Sequence, residues 1–123
     1  MSKKADRVLI EGRAGILAHT SDCEFPVANA DAVITKAAPG AGKHNTISAV
    51  YWSYDGTPTG GALHIDSGNS AHRIFSIDIT AGGPGFMHFD PPRKINAATA
   101  LIVTLVAGGA GVTGKLNISH WVE

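Results

Sequence analysis

Apolar and polar residues alternate with a period of two along most of this chain, and no long window repeats apolar residues at the helical period of 3.6. In "HRIFSIDIT", Phe75, Ile77 and Ile79 oppose Ser76, Asp78 and Thr80. In "NTISAVYWSYDG", Ile47, Ala49, Tyr51 and Ser53 form one set, and Ser48, Val50, Trp52 and Tyr54 the other. In "ALIVTLVA", Leu101, Val103 and Leu105 fall on one face, with Ile102, Thr104 and Val106 on the other. "RVLIEG" (continued by "GILAHT"), "DAVITKA", "ALHIDSG", "FMHFD" and "KLNISHWV" complete a set of about eight short strands. Between them lie turn signals: "DGTPTGG", "SGNS", "AGGPG" and the Pro91-Pro92 pair that is expected to end "FMHFD". "GGAGVTG" is expected to join the last two strands as a hairpin. "SDCEFPVANAD" reads as a loop, and "RKINAATA" has room for one helical turn. The pattern predicts an all-β, single-domain β-sandwich or jelly roll of antiparallel strands over residues 21–123, with residues 1–20 as an extended N-terminal arm or first strand.

Composition narrows this picture. A chain of 123 residues suits one domain with a useful core. The single cysteine, Cys23, excludes an internal disulfide. "MSKKADRVLIEGRAG" lacks the apolar run of a secretory signal, so folding in a reducing cytoplasm is expected. That expectation also leaves the Asn117 glycosylation motif "NIS" with little meaning. Ten Lys and Arg balance ten Asp and Glu, which argues against a nucleic-acid partner, because phosphate contacts require a basic excess. Charged residues make up 16% of the chain, below the usual ~25%, and that favours a surface partly covered in an assembly. The uncharged stretch from Ile95 to Gly114 has the length of a membrane span, but its strand alternation and glycine cluster read as a buried strand entering a turn, so no membrane association is expected.

Two glycine-rich stretches imitate nucleotide-binding motifs. "APGAGKHNT" has Gly42-Lys43, yet Ala37 stands where a phosphate loop needs glycine and His44 where it needs a hydroxyl. The β-branched "TISAVYW" follows it in place of a helix. "GAGVTG" matches G-x-G-x-x-G in form, but only nine residues follow Gly114, too few for the required helix and strand. Both read as interstrand loops, with Lys43 and His44 as rim contacts or solvated residues. His64 with Asp66, and His88 with Asp90, each place two metal-ligating types on one strand face, and His19 with Cys23 forms a further pair. Such residues are common on exposed strands, so the expectation is no metal and no cofactor. Cys23 lacks a recognisable nucleophile context, the aspartates carry little weight as a carboxylate pair, and no enzymatic activity is expected. The aromatic run is more suggestive. Trp52 and Tyr54 share a strand face that Tyr51 does not, and one of the two faces is free to meet a partner or a sugar. Trp121 is a candidate for capping the core or a subunit interface.

Through "VYWSYDGTPTGGALHI", "FSIDITAGGPGFMHFDPP" and "ALIVTLVAGGAGVTGKLNISHW", roughly Thr46 to the C-terminus, the chain resembles capsid decoration (cement) proteins of tailed bacteriophages and related β-sandwich modules of virus particles. The resemblance implies a virion structural protein with a jelly-roll-like fold. It would be made in the host cytoplasm and bound to the outer capsid surface as a homo-oligomer, a trimer, with the major capsid protein as partner. The partner contacts expected on this reading are Arg7, Arg13, Trp52, Tyr54 and Trp121. The segment from Ser2 to Thr20 would reach the coat or a neighbour, an ordinary first strand being the alternative. A carbohydrate- or receptor-binding module of a fibre or lectin-like protein is the competing function, and a small metal-dependent enzyme using His64 and His88 ranks behind both.

Overall fold

The structure, a computed structural model, describes residues 20–123. It is all-β, as the alternation requires. The strands are β1 (Thr20–Glu24), β2 (Ala32–Lys36), β3 (Asn45–Tyr54), β4 (Ala62–Ser67), β5 (Arg73–Asp78), β6 (Gly83–Lys94), β7 (Leu101–Leu105) and β8 (Gly114–Val122). They form two four-stranded antiparallel sheets, ordered β1-β8-β3-β6 and β2-β7-β4-β5. First pairs with last throughout: β1 with β8, β2 with β7, β3 with β6 and β4 with β5. A nested antiparallel ladder rolled over on itself in this way is the eight-stranded jelly roll.

The core lies between the sheets. Val50, Tyr54, Leu116 and Ile118 enter it from one side, and Ile34, Leu63, Ile65, Leu101, Val103 and Leu105 from the other. Each fully buried aliphatic side chain here contributes about 1.5–3 kcal/mol relative to exposure. The inner rows run straight across the sheet, with Ile118, Val50 and Met87 in one register and Leu116, Trp52 and Gly85 in the next. A bulge between Ile47 and Ala49 changes which residues face inward, so Ile47 is fully buried together with Val50. The Ser48 hydroxyl donates to the Ser119 carbonyl (3.1 Å) at this break.

Several local expectations are corrected. β1 is formed by "TSDCE", part of which read as loop, whereas "RVLIEG" lies outside the described residues. β6 runs through Pro91 and Pro92 to Lys94, with a cis Asp90–Pro91 bond, instead of stopping before them. It can do so because Phe89 to Pro92 bulge out of the pairing with β3 on an edge strand, where a missing N–H breaks no ladder. The segment "RKINAATA" holds no helical turn, and the single short 3₁₀ turn among the described residues is Ser70–His72, capped by the Asn69 side chain. Finally, β7 and β8 are not a hairpin, because they lie in different sheets. Their connection crosses the sandwich, held by Thr59 N–H to the Gly108 carbonyl (2.7 Å) and Asn29 N–H to the Val112 carbonyl (2.8 Å). Every connection crosses between sheets except that of β4 to β5.

Candidate functional site: the outer aromatic face of the β1-β8-β3-β6 sheet

The two outer faces of the sandwich differ in chemistry. On the β2-β7-β4-β5 sheet, His64 pairs with Thr104 and Ser76, Val33 with Thr104, and Thr35 with Ile102, giving a mixed, largely polar face. His64 Nδ1 is hydrogen-bonded to Ser76 Oγ (2.8 Å). On the opposite sheet one register carries Cys23, Asn117, Tyr51 and Phe86 across all four strands, and the adjacent one carries Lys115, Ser53 and Pro84. Phe25, which follows β1, and Phe86 are about two-thirds exposed, and Tyr51 is 41% exposed. All of these residues except Cys23, together with Trp52 and Gly85, line a groove of about 500 Å³.

The rings are held in place. Tyr51 and Phe86 have centroids 6.3 Å apart and planes inclined by only 29°, which makes a nearly continuous platform. His88, on the same strand face as Phe86, meets Tyr51 edge-on at 5.6 Å, and its Nε2 is hydrogen-bonded to the Tyr51 hydroxyl (3.0 Å). Lys115 Nζ lies 5.9 Å from the centroid of Phe25, a cation–π distance. The described ion pairs are Lys36–Asp22, Arg73–Asp66 and Lys94–Glu123, with His120 also beside Asp22, and Lys115 belongs to none of these contacts.

This placement corrects the contacts expected of Tyr54 and Trp121, whereas Trp52 is among the residues that line the groove. Trp52 and Tyr54 do share a face, but it is the inner one: Tyr54 is 1% exposed, and Trp52 packs half-buried against the core. Trp121 is also buried. It is Tyr51, on the other face, that reaches the surface. Arg7 and Arg13 lie outside the described residues. Phe25 stands alone in a polar stretch, and Phe86 shares "FMHFD" with Phe89, so composition alone singles out neither. The signal that could have found Phe86 was its parity with His88 and Asp90 in "FMHFD", opposite to Met87 and Phe89, which turn inward.

The His64/Asp66 and His88/Asp90 pairs do not converge, and His19 of the third pair lies outside the described residues. His64 is on the outer face of one sheet and His88 on that of the other, while Asp66 is bound to Arg73 through two contacts of 2.7 and 3.2 Å. Among the described residues no group of three His, Cys, Asp or Glu could hold a metal ion. The phosphate-loop imitation "APGAGKHNT" is an interstrand turn: Gly42 has φ 75°, and His44 exchanges backbone hydrogen bonds with Glu123 (2.7 and 2.9 Å). The carbonyl of Ile95 can only accept, so the His44 Nδ1 facing it at 2.7 Å carries the proton. Among the described residues no helix is long and apolar enough to cross a membrane.

A separate polar cluster closes the side of the sandwich where β1 meets β2. The Asp22 carboxylate is bound by Lys36 from the facing sheet and lies 3.4 Å from His120 Nε2. The Lys36 hydrogen bond, with support from His120, holds the Asp22 carboxyl below its ordinary value.

No family model matches the chain. No curated protein matches it either. A solved structure described as "Bacillus endospore appendages form a novel family of disulfide-linked pili" is similar over 85% of this chain and 87% of that one, at 13% identity and a TM-score of 0.39. That likeness is distant, and nothing about partners or assembly follows from it.

Proposed function

We propose that this chain is a structural protein of a particle surface. Within that class we propose a capsid decoration protein, bound as a trimer to the outer surface of the major capsid protein shell. The observation that carries the reading is the contrast between the two outer faces, one mixed and largely polar and one bearing the exposed Tyr51–Phe86 ring pair with Phe25. Aromatic side chains are enriched where proteins meet, and a contiguous apolar patch is costly to leave in water. A two-sided body can seat one face on a lattice and show the other to solvent. It would stabilise the lattice by mass action, because it binds the assembled form, and by multivalency if three copies engage together. The test is capsid heat resistance with and without the protein. Added wild-type protein should raise the disruption temperature of stripped capsids, and Phe86→Ala should not. Stripped capsids that stay unchanged on adding wild type would refute the reading.

A second reading, a carbohydrate-binding module, is favoured by one feature. The near-parallel Tyr51 and Phe86 rings form the kind of flat surface on which sugar rings stack. Glycan-array binding that Phe86→Ala abolishes would support it, and a blank array would remove it.

A further inference from the structure

We propose that the groove of the β1-β8-β3-β6 face takes an extended peptide segment of the coat partner, one that carries an aliphatic or aromatic side chain beside a carboxylate. This rests on the particle-surface reading and names the chemistry of its partner. The groove holds about 500 Å³, enough for one or two large side chains but not for a folded element. Its aromatic lining is Phe25, Tyr51, Trp52 and Phe86, so the occupant must be apolar where it meets them. Lys115 is the one charged group among the described residues lining it, and no described carboxylate pairs with it. An occupant acid would complete a rim ion pair there and set the orientation of the segment. Ser53 and Asn117 add hydroxyl and amide groups beside Lys115 on the same face, suited to a passing peptide backbone. A sugar asks for more directed polar partners than these residues supply, and that favours peptide over glycan.

The test is selection of a random-peptide display library on the immobilised full chain. The expected enrichment is Asp or Glu next to Leu, Ile, Phe or Trp, with binding reduced at least tenfold by Phe86→Ala. Lys115→Glu should invert the preference to Lys or Arg while melting at the wild-type temperature, because Lys115 is exposed. Enrichment without charge preference, or an acidic preference that survives Lys115→Glu, would overturn the proposal. So would failure to enrich any peptide alongside Phe86-dependent binding of an acidic oligosaccharide such as polygalacturonate, which would assign the groove to glycans. The capsid assay is independent: peptide binding without capsid protection would sink the decoration reading and leave the groove chemistry standing.

Discussion

Gly85 lies directly across from Trp52 on the inner face of its sheet, and the indole covers it. A Cβ at Gly85 would come within 2.5 Å of the ring, closer than side chains tolerate. Gly85→Ala therefore forces Trp52 off its position, and the expected cost is about 1–3 kcal/mol, the range for overpacking. Chemical denaturation checks it, and an unchanged midpoint would show that the indole can move freely. Tyr54 makes a different residue-scale case. Its ring is buried, and its hydroxyl donates to the Val106 carbonyl (2.5 Å), joining β3 to the connection after β7. Tyr54→Phe should cost about 1 kcal/mol at neutral pH, the net worth of one such bond. Burial raises the Tyr54 pKa above its ordinary 10.0. The folded form thus resists ionisation, so this stabilisation is complete below pH 10 and declines as pH rises through the folded value. Stability curves above pH 10 should fall less steeply for Tyr54→Phe than for wild type, and parallel curves would contradict the assignment.

At the scale of elements, the edge strands β1 and β2 belong to different sheets and meet through Asp22, Lys36 and His120. Because the Asp22 pKa is lowered in the folded state, its contribution is present above the unfolded value near 3.8 and is lost as pH falls through the folded one. Asp22→Asn should cost under about 1 kcal/mol at pH 7, since the carboxylate is part-exposed, and should flatten the acid limb below pH 4. Thermal melts of both proteins between pH 2 and 7 measure this, and identical acid limbs would place the titrating group elsewhere. The same edge shows where the sequence was readable and where it was not. Central strands such as β7, with Leu101, Val103 and Leu105 inward, announce themselves because one face is fully buried and the alternation is strict. β1 does not, because "TSDCE" is polar and short, and its pairing comes from β8 rather than from its own pattern. Alternation also says nothing about which sheet a strand joins, so β7 and β8 read as a hairpin although their glycine-rich connection crosses the sandwich. The site was half legible for the same reason. Period two separates Tyr51 from Trp52 and Tyr54, but only the side on which the β2-β7-β4-β5 sheet packs decides which set faces out.

For the whole molecule, the nested ladder orders the entropy costs of folding. The β4–β5 pair closes a short loop, while the β1–β8 pair joins Thr20 to His120, 100 positions apart. Loop closure grows more costly with length, so the inner rungs are expected to form before the outer ones. Leu63 on β4 and Leu116 on β8 are both fully buried, and truncating either to alanine should remove about 2–5 kcal/mol. Their kinetic signatures should differ. Leu63→Ala should slow refolding, because its contacts form in the barrier-limiting rungs, whereas Leu116→Ala should mainly speed unfolding. Stopped-flow refolding and unfolding of the two variants measures the split, with wild-type refolding expected in milliseconds to seconds, as for other non-local β folds. If Leu116→Ala slowed refolding as much as Leu63→Ala, the outer rung would already be formed at the barrier. The jelly roll would then close as one unit instead of zipping from its β4–β5 hairpin outward. In the zipping order the aromatic face is completed late, because Tyr51 and Phe86 acquire Asn117 and Lys115 beside them only when β8 docks against β3. The proposed partner groove is then a product of the last folding step, absent from partly rolled chains and present on the finished sandwich.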